Sequence, residues 1–148
     1  MRVSTKVEYG MMALADIALY SENGNSVSAL EIAERQDISK KYLEQILPLL
    51  KQAGFIKAHK GLRGGYTIAC NVNATNMADV LNALDNSILE EMEASEAQAP
   101  PKLRGIINKC LWGQINSSLR EYARQRTLSE FLQDCKAQIA DDWDLDVI

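Results

Sequence analysis

The fold is decided by residues 28–55, which read SALEIAERQDISKKYLEQILPLLKQAGF. Ser28 and Glu31 have the S-x-x-E spacing of a capping box, which predicts the start of a short helix. The chain turns polar near Asp37, and Ser39 is a second cap that opens a longer helix with an apolar face. Two helices joined by a tight turn of about four or five residues are the pattern of a helix-turn-helix.

Pro48 lies inside the longer helix, where a proline removes one backbone hydrogen bond and predicts a kink or a shortened last turn. Apolar residues recur on both sides of the proline, which favours one continuous helix. The residues expected on its buried side are Tyr42, Leu43, Ile46, Leu47 and Leu50.

Short apolar runs flank a glycine-rich loop directly after the second helix. Residues 55–59 and 66–70 predict two strands, and the loop between them, KGLRGG, carries three glycines and two basic side chains. An amphipathic helix is predicted over residues 4–21, before the helix-turn-helix. The order helix, short helix, turn, helix and hairpin predicts a winged helix-turn-helix, mainly α with a small β-hairpin wing.

The second half of the chain predicts a different kind of structure. We expect a winged helix-turn-helix DNA-binding domain at 1–85, an acidic and proline-terminated loop at 86–101, and a helical dimerisation region at 102–148. Thr127 and Glu130 form another capping box and predict the start of a terminal helix.

A long helix is predicted from about 102 to 126, with an apolar stripe of about six turns. A stripe of this length exceeds what a chain of 148 residues needs to cover its own core, and it predicts a homodimer. Packing within the chain is the alternative. The residues expected at the dimer interface are Leu103, Ile107, Cys110, Leu111, Ile115 and Leu119.

The net charge of −4 has the wrong sign for a typical nucleic-acid binder. Along the chain, however, the charges separate. Residues 1–70 hold nine basic and seven acidic side chains, whereas residues 71–148 hold seven basic and thirteen acidic ones. Residues 36–66 contain six basic side chains and only two acidic ones. This asymmetry predicts a part that meets a polyanion, with chance scatter of surface charge as the alternative.

Catalysis and membrane insertion find little support in the sequence. The chain has one histidine, His59, and no nucleotide-binding glycine motif that opens a helix, so we expect no enzyme. Neither a signal peptide nor a long apolar span is visible, and the three cysteines fit no disulfide framework. We therefore expect a cytoplasmic protein.

Double-stranded DNA is the partner that the motifs predict. The first turns of a recognition helix meet base edges in the major groove, and a glycine-rich wing tip with basic side chains can enter the minor groove. A solvated helix face and a plain surface turn are the alternatives. The expected DNA contacts are Lys6, Ser39, Lys40, Lys41, Tyr42, Glu44, Gln45, Lys60 and Arg63.

Several motifs together resemble the Rrf-two-type winged-helix regulators, the family of IscR, NsrR and CymR. The resemblance covers residues 1–85 well and resumes at Trp112 and Thr127-Leu128. The motifs that carry it are Ser4-Thr5-Lys6, Tyr9-Gly10, Ile32-Ala33-Glu34, Ile38-Ser39, Tyr42-Leu43-Glu44-Gln45-Ile46-Leu47, Ala53-Gly54 and Gly64-Gly65-Tyr66.

This resemblance implies a homodimeric transcription regulator, expected to be a repressor, on a partly palindromic operator. It places the base-reading residues at Glu44 and Gln45. The wing arginine of related proteins falls on Lys60, which lacks a flat guanidinium, so Arg63 is expected to share that role.

The ligand region departs from the cluster-binding members of the family, which carry three cysteines before the tryptophan of the long helix. Residues 88–109 contain none, and Cys110 stands only two residues before Trp112. Thiolates are the usual ligands of such clusters, so we expect no iron–sulfur cluster and no other cofactor. Cys70, Cys110 and Cys135 are then expected to be small buried hydrophobes.

Two other hypotheses remain open at this stage. The chain could dock a metabolic enzyme as a protein-interaction module, or it could sense redox state or metal through Cys110. A regulatory protein or a small-molecule effector is left open as a further partner, which the sequence does not identify.

Overall fold

The structure, a computed structural model, describes residues 3–89 and 102–146, with side chains up to residue 142. Of the predicted acidic loop, residues 90–101 lie outside this part. A mainly helical chain with one antiparallel hairpin confirms the predicted fold class. Its elements are α1 (Thr5–Tyr20), α2 (Ala29–Gln36), α3 (Lys40–Gln52), β1 (Ile56–His59), β2 (Gly65–Ile68), α4 (Met77–Leu84), α5 (Leu103–Ile107), a π-helical turn (Asn108–Trp112), α6 (Gly113–Gln125) and α7 (Leu128–Asp146).

The helix-turn-helix begins at the two predicted caps. Ser28 Oγ accepts from the Glu31 backbone N–H at 3.1 Å, and the Glu31 carboxylate accepts from the Ser28 N–H, which completes the capping box. Ser39 Oγ accepts from the Tyr42 N–H at 3.1 Å and opens α3. Between the helices Asp37 ends α2 in the left-handed conformation, at φ 52°.

The prediction of one continuous helix is confirmed for α3. The helix continues beyond the exposed Pro48 to Gln52. Proline is tolerated here on the solvent side, where the apolar face of the helix is undisturbed. Tyr42, expected to be buried, is half-buried and packs against the core from its edge. The fully buried residues of this helix are Leu43, Ile46, Leu47 and Leu50.

An ion pair that the sequence did not predict joins α1 to α2. Asp16 is the one charged side chain buried among the described residues, with 1% of its surface exposed. Its carboxylate accepts from Arg35 Nε at 2.9 Å, from Arg35 Nη2 at 3.1 Å and from Gln36 Nε2 at 2.8 Å. The hydrogen bond to Asp16 raises the pKa of Arg35, whose guanidinium also lies 4.1 Å from the Tyr20 ring centroid.

The wing is docked on the segment that precedes α2. In the hairpin Ile56 pairs with Ile68 and His59 with Gly65. Tyr66 and Val27 then exchange two backbone hydrogen bonds, of 2.9 and 2.7 Å. Gly65 is required at this contact, because a Cβ there would lie 2.6 Å from the Val27 carbonyl oxygen.

The C-terminal segment shares the core of the N-terminal half. The Met77 N–H donates to the Arg126 carbonyl at 2.8 Å, and the Leu128 N–H donates to the Thr75 carbonyl at 2.8 Å. Leu128 and Leu132 are buried in the same apolar cluster as Leu14 of α1. The start of α7 is thus built into the body that carries the helix-turn-helix.

The long helix, defined here as residues 103–125, follows the predicted range but contains a π-helical turn that the sequence did not predict. Backbone angles stay helical from α5 through the π turn into α6. Gly113 lies close behind the turn, where a Cβ would be 2.8 Å from the Asn108 carbonyl oxygen. Among the described residues no helix has the length and apolar character to cross a membrane.

Replacing Asp16 by alanine is expected to destabilise the fold by roughly 1–3 kcal/mol, because Gln36 and the partly exposed Arg35 lose the hydrogen bonds that the Asp16 carboxylate accepts. Asp16→Asn keeps part of the hydrogen bonding and should lose less. Urea unfolding at one fixed protein concentration measures both free energies.

Glu34→Ala is the matched control, since Glu34 is an exposed acidic residue of α2. Its free energy of unfolding should stay within about 0.5 kcal/mol of the wild type. An Asp16→Ala protein as stable as this control would show that the ion pair contributes nothing.

Candidate nucleic-acid interface

The solvent face of α3 carries four of the predicted DNA contacts. Lys40, Lys41, Glu44 and Gln45 are all exposed on the described chain, while the opposite face of the helix is buried. The buried face fixes the helix in the body, so these four side chains project from a rigid support. Amines suit phosphates, and carboxylate and amide groups can pair with base edges.

Ser39 and Tyr42 have structural partners at the start of this helix. The Ser39 hydroxyl oxygen already accepts the capping hydrogen bond. The Tyr42 ring packs edge-on against Tyr9 of α1, with centroids 5.1 Å apart and an interplanar angle of 82°. Both residues therefore position the helix, and their contacts with DNA remain predictions.

The wing tip presents Lys60 and Arg63, both exposed, on a tightly held turn. Gly61 adopts φ 111°, which favours glycine, and its carbonyl accepts from the Gly64 N–H at 2.9 Å. The Ser26 hydroxyl donates to the Arg63 carbonyl at 2.5 Å. The two cations are thus carried by a backbone with a defined shape.

Leu62 is a feature of this tip that sequence reasoning missed. Its side chain is fully exposed, at 109% of the reference area. The available signal was a single apolar residue between two basic ones in a glycine-rich turn.

Lys6 lies at the start of α1, exposed and near Asp85. Hydrogen bonds from Ser87 lower the pKa of Asp85, and the charge of Lys6 lowers it further. Part of the Lys6 charge therefore acts on a carboxylate of its own chain. Its contact with phosphate stays a prediction.

His59 faces an open groove between the wing and α7. Its Nε2 lies 2.7 Å from Thr67 Oγ1, a hydrogen bond across the hairpin. The groove is also lined by Lys57 and by Gln133 and Lys136 of α7. This arrangement leaves the inner face of the wing uncovered and gives His59 a structural partner.

The predicted dimer residues divide into two groups. Leu103, Ile107, Cys110, Leu111 and Ile115 are exposed on the long helix. Leu119 differs from the prediction, because it is half-buried and packs against the core of its own chain. Three more large side chains are exposed on this helix, Ile106, Trp112 and Tyr122. Ile106 and Tyr122 belong to the predicted apolar stripe, whereas the sequence did not place Trp112 on it.

The three cysteines differ in their exposure. Cys110 is exposed, so the expectation of burial is wrong for it within one chain, while Cys70 and Cys135 are half-buried. Burial raises the pKa of the Cys135 thiol and so disfavours its thiolate. Within residues 3–89 and 102–146 no three His, Cys, Asp or Glu side chains lie together as metal ligands. These residues do not fit an iron–sulfur cluster held by one chain.

A helix-turn-helix with an exposed polar recognition face and a basic wing defines a winged-helix DNA-binding protein. A model of the Rrf2 family, described as iron-dependent transcriptional regulators, matches residues 3–134. The chain belongs to the Rrf2 family of transcription regulators, which confirms the resemblance seen in its motifs.

Relatives and solved structures agree with this family. The chain is 32% identical to the transcriptional regulator IscR of Cereibacter sphaeroides, over 90% of this chain and 88% of the relative. It is similar in structure to CymR, the global cysteine regulator of B. subtilis, with TM-score 0.74, 26% identity and coverage of 90% and 97%. For T. potens IscR the TM-score is 0.72 at 31% identity, covering 93% and 91% of the two chains.

Glu44→Ala is expected to relax sequence preference and to leave nonspecific DNA binding intact or slightly stronger. A carboxylate that reads one base edge discriminates by about 1–3 kcal/mol, and its removal also lifts a negative charge from the interface. Gel shifts would compare a duplex selected by the wild type from a random pool with its single-base variants. Uniform loss of affinity across all sequences would contradict this role.

Lys60→Ala is expected to weaken binding to all sequences and to reduce the slope of log K against log salt by about one. Titration with a fixed duplex at several salt concentrations measures the slope. Lys51→Ala is the matched control, an exposed lysine in the last turn of α3. Equal slopes for wild type and Lys60→Ala would remove Lys60 from the phosphate contacts.

Proposed function

We propose that this protein is a homodimeric repressor that binds a partly palindromic DNA operator in the cytoplasm. One observation carries the dimer: of the twelve large apolar side chains exposed in the described residues, seven lie on the long helix. Surface hydrophobes scattered singly are ordinary, but such a concentration marks an interaction site. A second copy of the same helix is the simplest surface that complements it.

A two-fold pairing suits the proposed operator. Dimeric helix-turn-helix proteins bind half-sites about one DNA turn, roughly 34 Å, apart, so a palindrome mirrors the symmetry of the protein. The start of α7 is packed into the body that carries α3. Ala123 at the end of the long helix is buried in the same cluster, so the long helix and α3 share one packed body, which supports a fixed half-site spacing.

Affinity and specificity are proposed to come from different side chains. Glu44 and Gln45, with Tyr42 beside them, would read bases in the major groove. Phosphate neutralisation would come from Lys6, Lys40, Lys41, Lys60 and Arg63. The acidic balance of residues 71–148, with seven basic and thirteen acidic side chains, supports this division.

We also propose the division into a DNA-binding domain at 1–85, an acidic loop at 86–101 and a dimerisation region at 102–148. No iron–sulfur cluster is proposed, since the cysteines stand on separate elements. Redox sensing through the exposed Cys110 is the alternative hypothesis for the regulatory signal. Loss of DNA response in Cys110→Ser, or colour in anaerobically purified protein, would favour a sensor of that kind.

Selection of duplexes from a random pool tests the operator. The expected product is a partly palindromic sequence whose half-site centres lie about 10 base pairs apart. Repression would appear as reduced transcription in vitro from a promoter that overlaps the selected site. Failure to enrich any sequence, or increased transcription, would overturn the respective part of the proposal.

Leu111→Lys is expected to convert a dimer into a monomer, because it places a charge in the middle of the apolar stripe. Analytical ultracentrifugation should give twice the chain mass of 16.5 kDa for the wild type and the single mass for the variant. Leu30→Lys is the matched control, since Leu30 is equally apolar and exposed on α2. A dimeric Leu111→Lys protein would place the interface elsewhere.

Alkylation of Cys110 gives a second, independent measure of this interface. Cys110 is exposed on the single chain beside Leu111, so dimer formation should cover it. Iodoacetamide should modify it several-fold more slowly in the wild type than in Leu111→Lys, as followed by peptide mass spectrometry. Equal rates in the two proteins would show that Cys110 lies outside the contact.

A further inference from the structure

The side chain of Leu62 is fully exposed to solvent at the tip of the wing. Its exposure of 109% exceeds that of every other large apolar side chain that is exposed in the described residues; the next is Leu103, at 69%, on the long helix. Exposed leucines are common on protein surfaces. Leu62 differs in two respects. The turn that carries it is held by hydrogen bonds, and exposed basic side chains flank it on both sides.

The turn that carries Leu62 is tied on both sides. Gly61 and Gly64 are joined by a 2.9 Å hydrogen bond, and a Cβ on Gly64 would lie 2.6 Å from the His59 carbonyl oxygen. The Ser26 hydroxyl holds the Arg63 carbonyl from outside the hairpin. These hydrogen bonds fix the backbone on either side of Leu62, which keeps its side chain at the tip of the wing.

The flanking charges indicate what Leu62 meets. Lys60 and Arg63 stand exposed on either side of it. A lone leucine between two cations is a poor match for an apolar protein surface, where both charges would lose water without a partner. Minor grooves, in contrast, have a negative potential that attracts both cations, and a base step that opens toward the groove exposes apolar base faces to an inserting side chain.

We propose that Leu62 is a wedge that inserts from the minor groove between two adjacent base pairs and kinks the DNA. This inference rests on the proposed DNA-binding function and deepens it. Apolar wedges of this kind partly unstack one step and bend the duplex by about 20–90°. Lys60 and Arg63 hold the phosphates on both sides while Leu62 separates the bases.

Such a wedge also contributes to specificity without a hydrogen bond to any base. Pyrimidine–purine steps such as TA and CA unstack more readily than other steps. A preference for one of these steps is therefore expected where the wing meets the operator. It would add to the base reading by Glu44 and Gln45 at a separate position.

The test uses the full-length protein and a duplex that the wild type selects from a random pool. Footprinting locates the minor-groove contact of the wing, and 2-aminopurine is placed at that step to report unstacking by its fluorescence. Wild-type protein should raise the fluorescence and bend the duplex by at least about 20° in a permutation gel. Leu62→Ala should abolish both effects and weaken binding roughly fivefold or more, with an unchanged salt slope because no charge is lost.

Two variants separate a wedge from a general effect on the wing. Leu62→Met keeps apolar bulk and should retain the fluorescence rise and the bend. Ile139→Ala removes a similar apolar group from the exposed surface of α7 and should behave as the wild type. The wedge proposal is wrong if the Leu62→Ala protein binds and bends the duplex and unstacks the base step as the wild type does. It is also wrong if the wild-type protein leaves that step stacked. Absence of any selected duplex would instead overturn the proposed function.

Discussion

The position of the helix-turn-helix depends on how the buried carboxylate of Asp16 is neutralised. Asp16 lies in the apolar interior of α1, where an unpaired charge would cost several kcal/mol. It is tolerated because Arg35 and Gln36 at the end of α2 supply three hydrogen bonds at fixed angles. An apolar contact in the same place would tolerate sliding, whereas a two-pronged guanidinium does not. This directional contact therefore fixes the end of α2 against α1, and it helps to position the turn that follows α2 and the start of α3.

Burial is distributed very unevenly over this protein. The N-terminal helices, the base of the hairpin and the start of α7 form one apolar cluster, whereas the described side chains of α5 and the π turn contribute nothing to it. The long helix thus leaves its own body and carries an apolar surface into solvent. A single chain could lower its free energy by covering this surface, which is the physical reason to expect a partner.

Local signals allowed most of the fold to be predicted, and long-range contacts explain what was missed. Caps at Ser28, Ser39 and Thr127 are written within four residues of sequence, and each one starts a helix as expected. The pairing of Asp16 with Arg35 spans 19 positions and leaves no periodic trace, so no pattern could reveal it. Leu119 satisfies the same apolar spacing as its neighbours, and only the position of α4 beside α6 determines that it faces its own core. For the site, residue type and spacing indicate which side chains are on the surface but not the direction in which a wing tip points.

The π-helical turn at Asn108–Trp112 has a consequence for how such a helix can change over evolution. A π turn holds one residue more than the α turn it replaces, so it is the form in which a helix absorbs a single-residue insertion. Deleting one residue here would restore regular α-helix and leave the parts on either side in nearly the same rotational register. The same deletion elsewhere in the long helix would rotate everything beyond it by about 100° and turn its exposed apolar side chains to a different face. The π turn is therefore the one point of the described long helix at which a residue can be lost without moving the proposed dimer surface relative to the body.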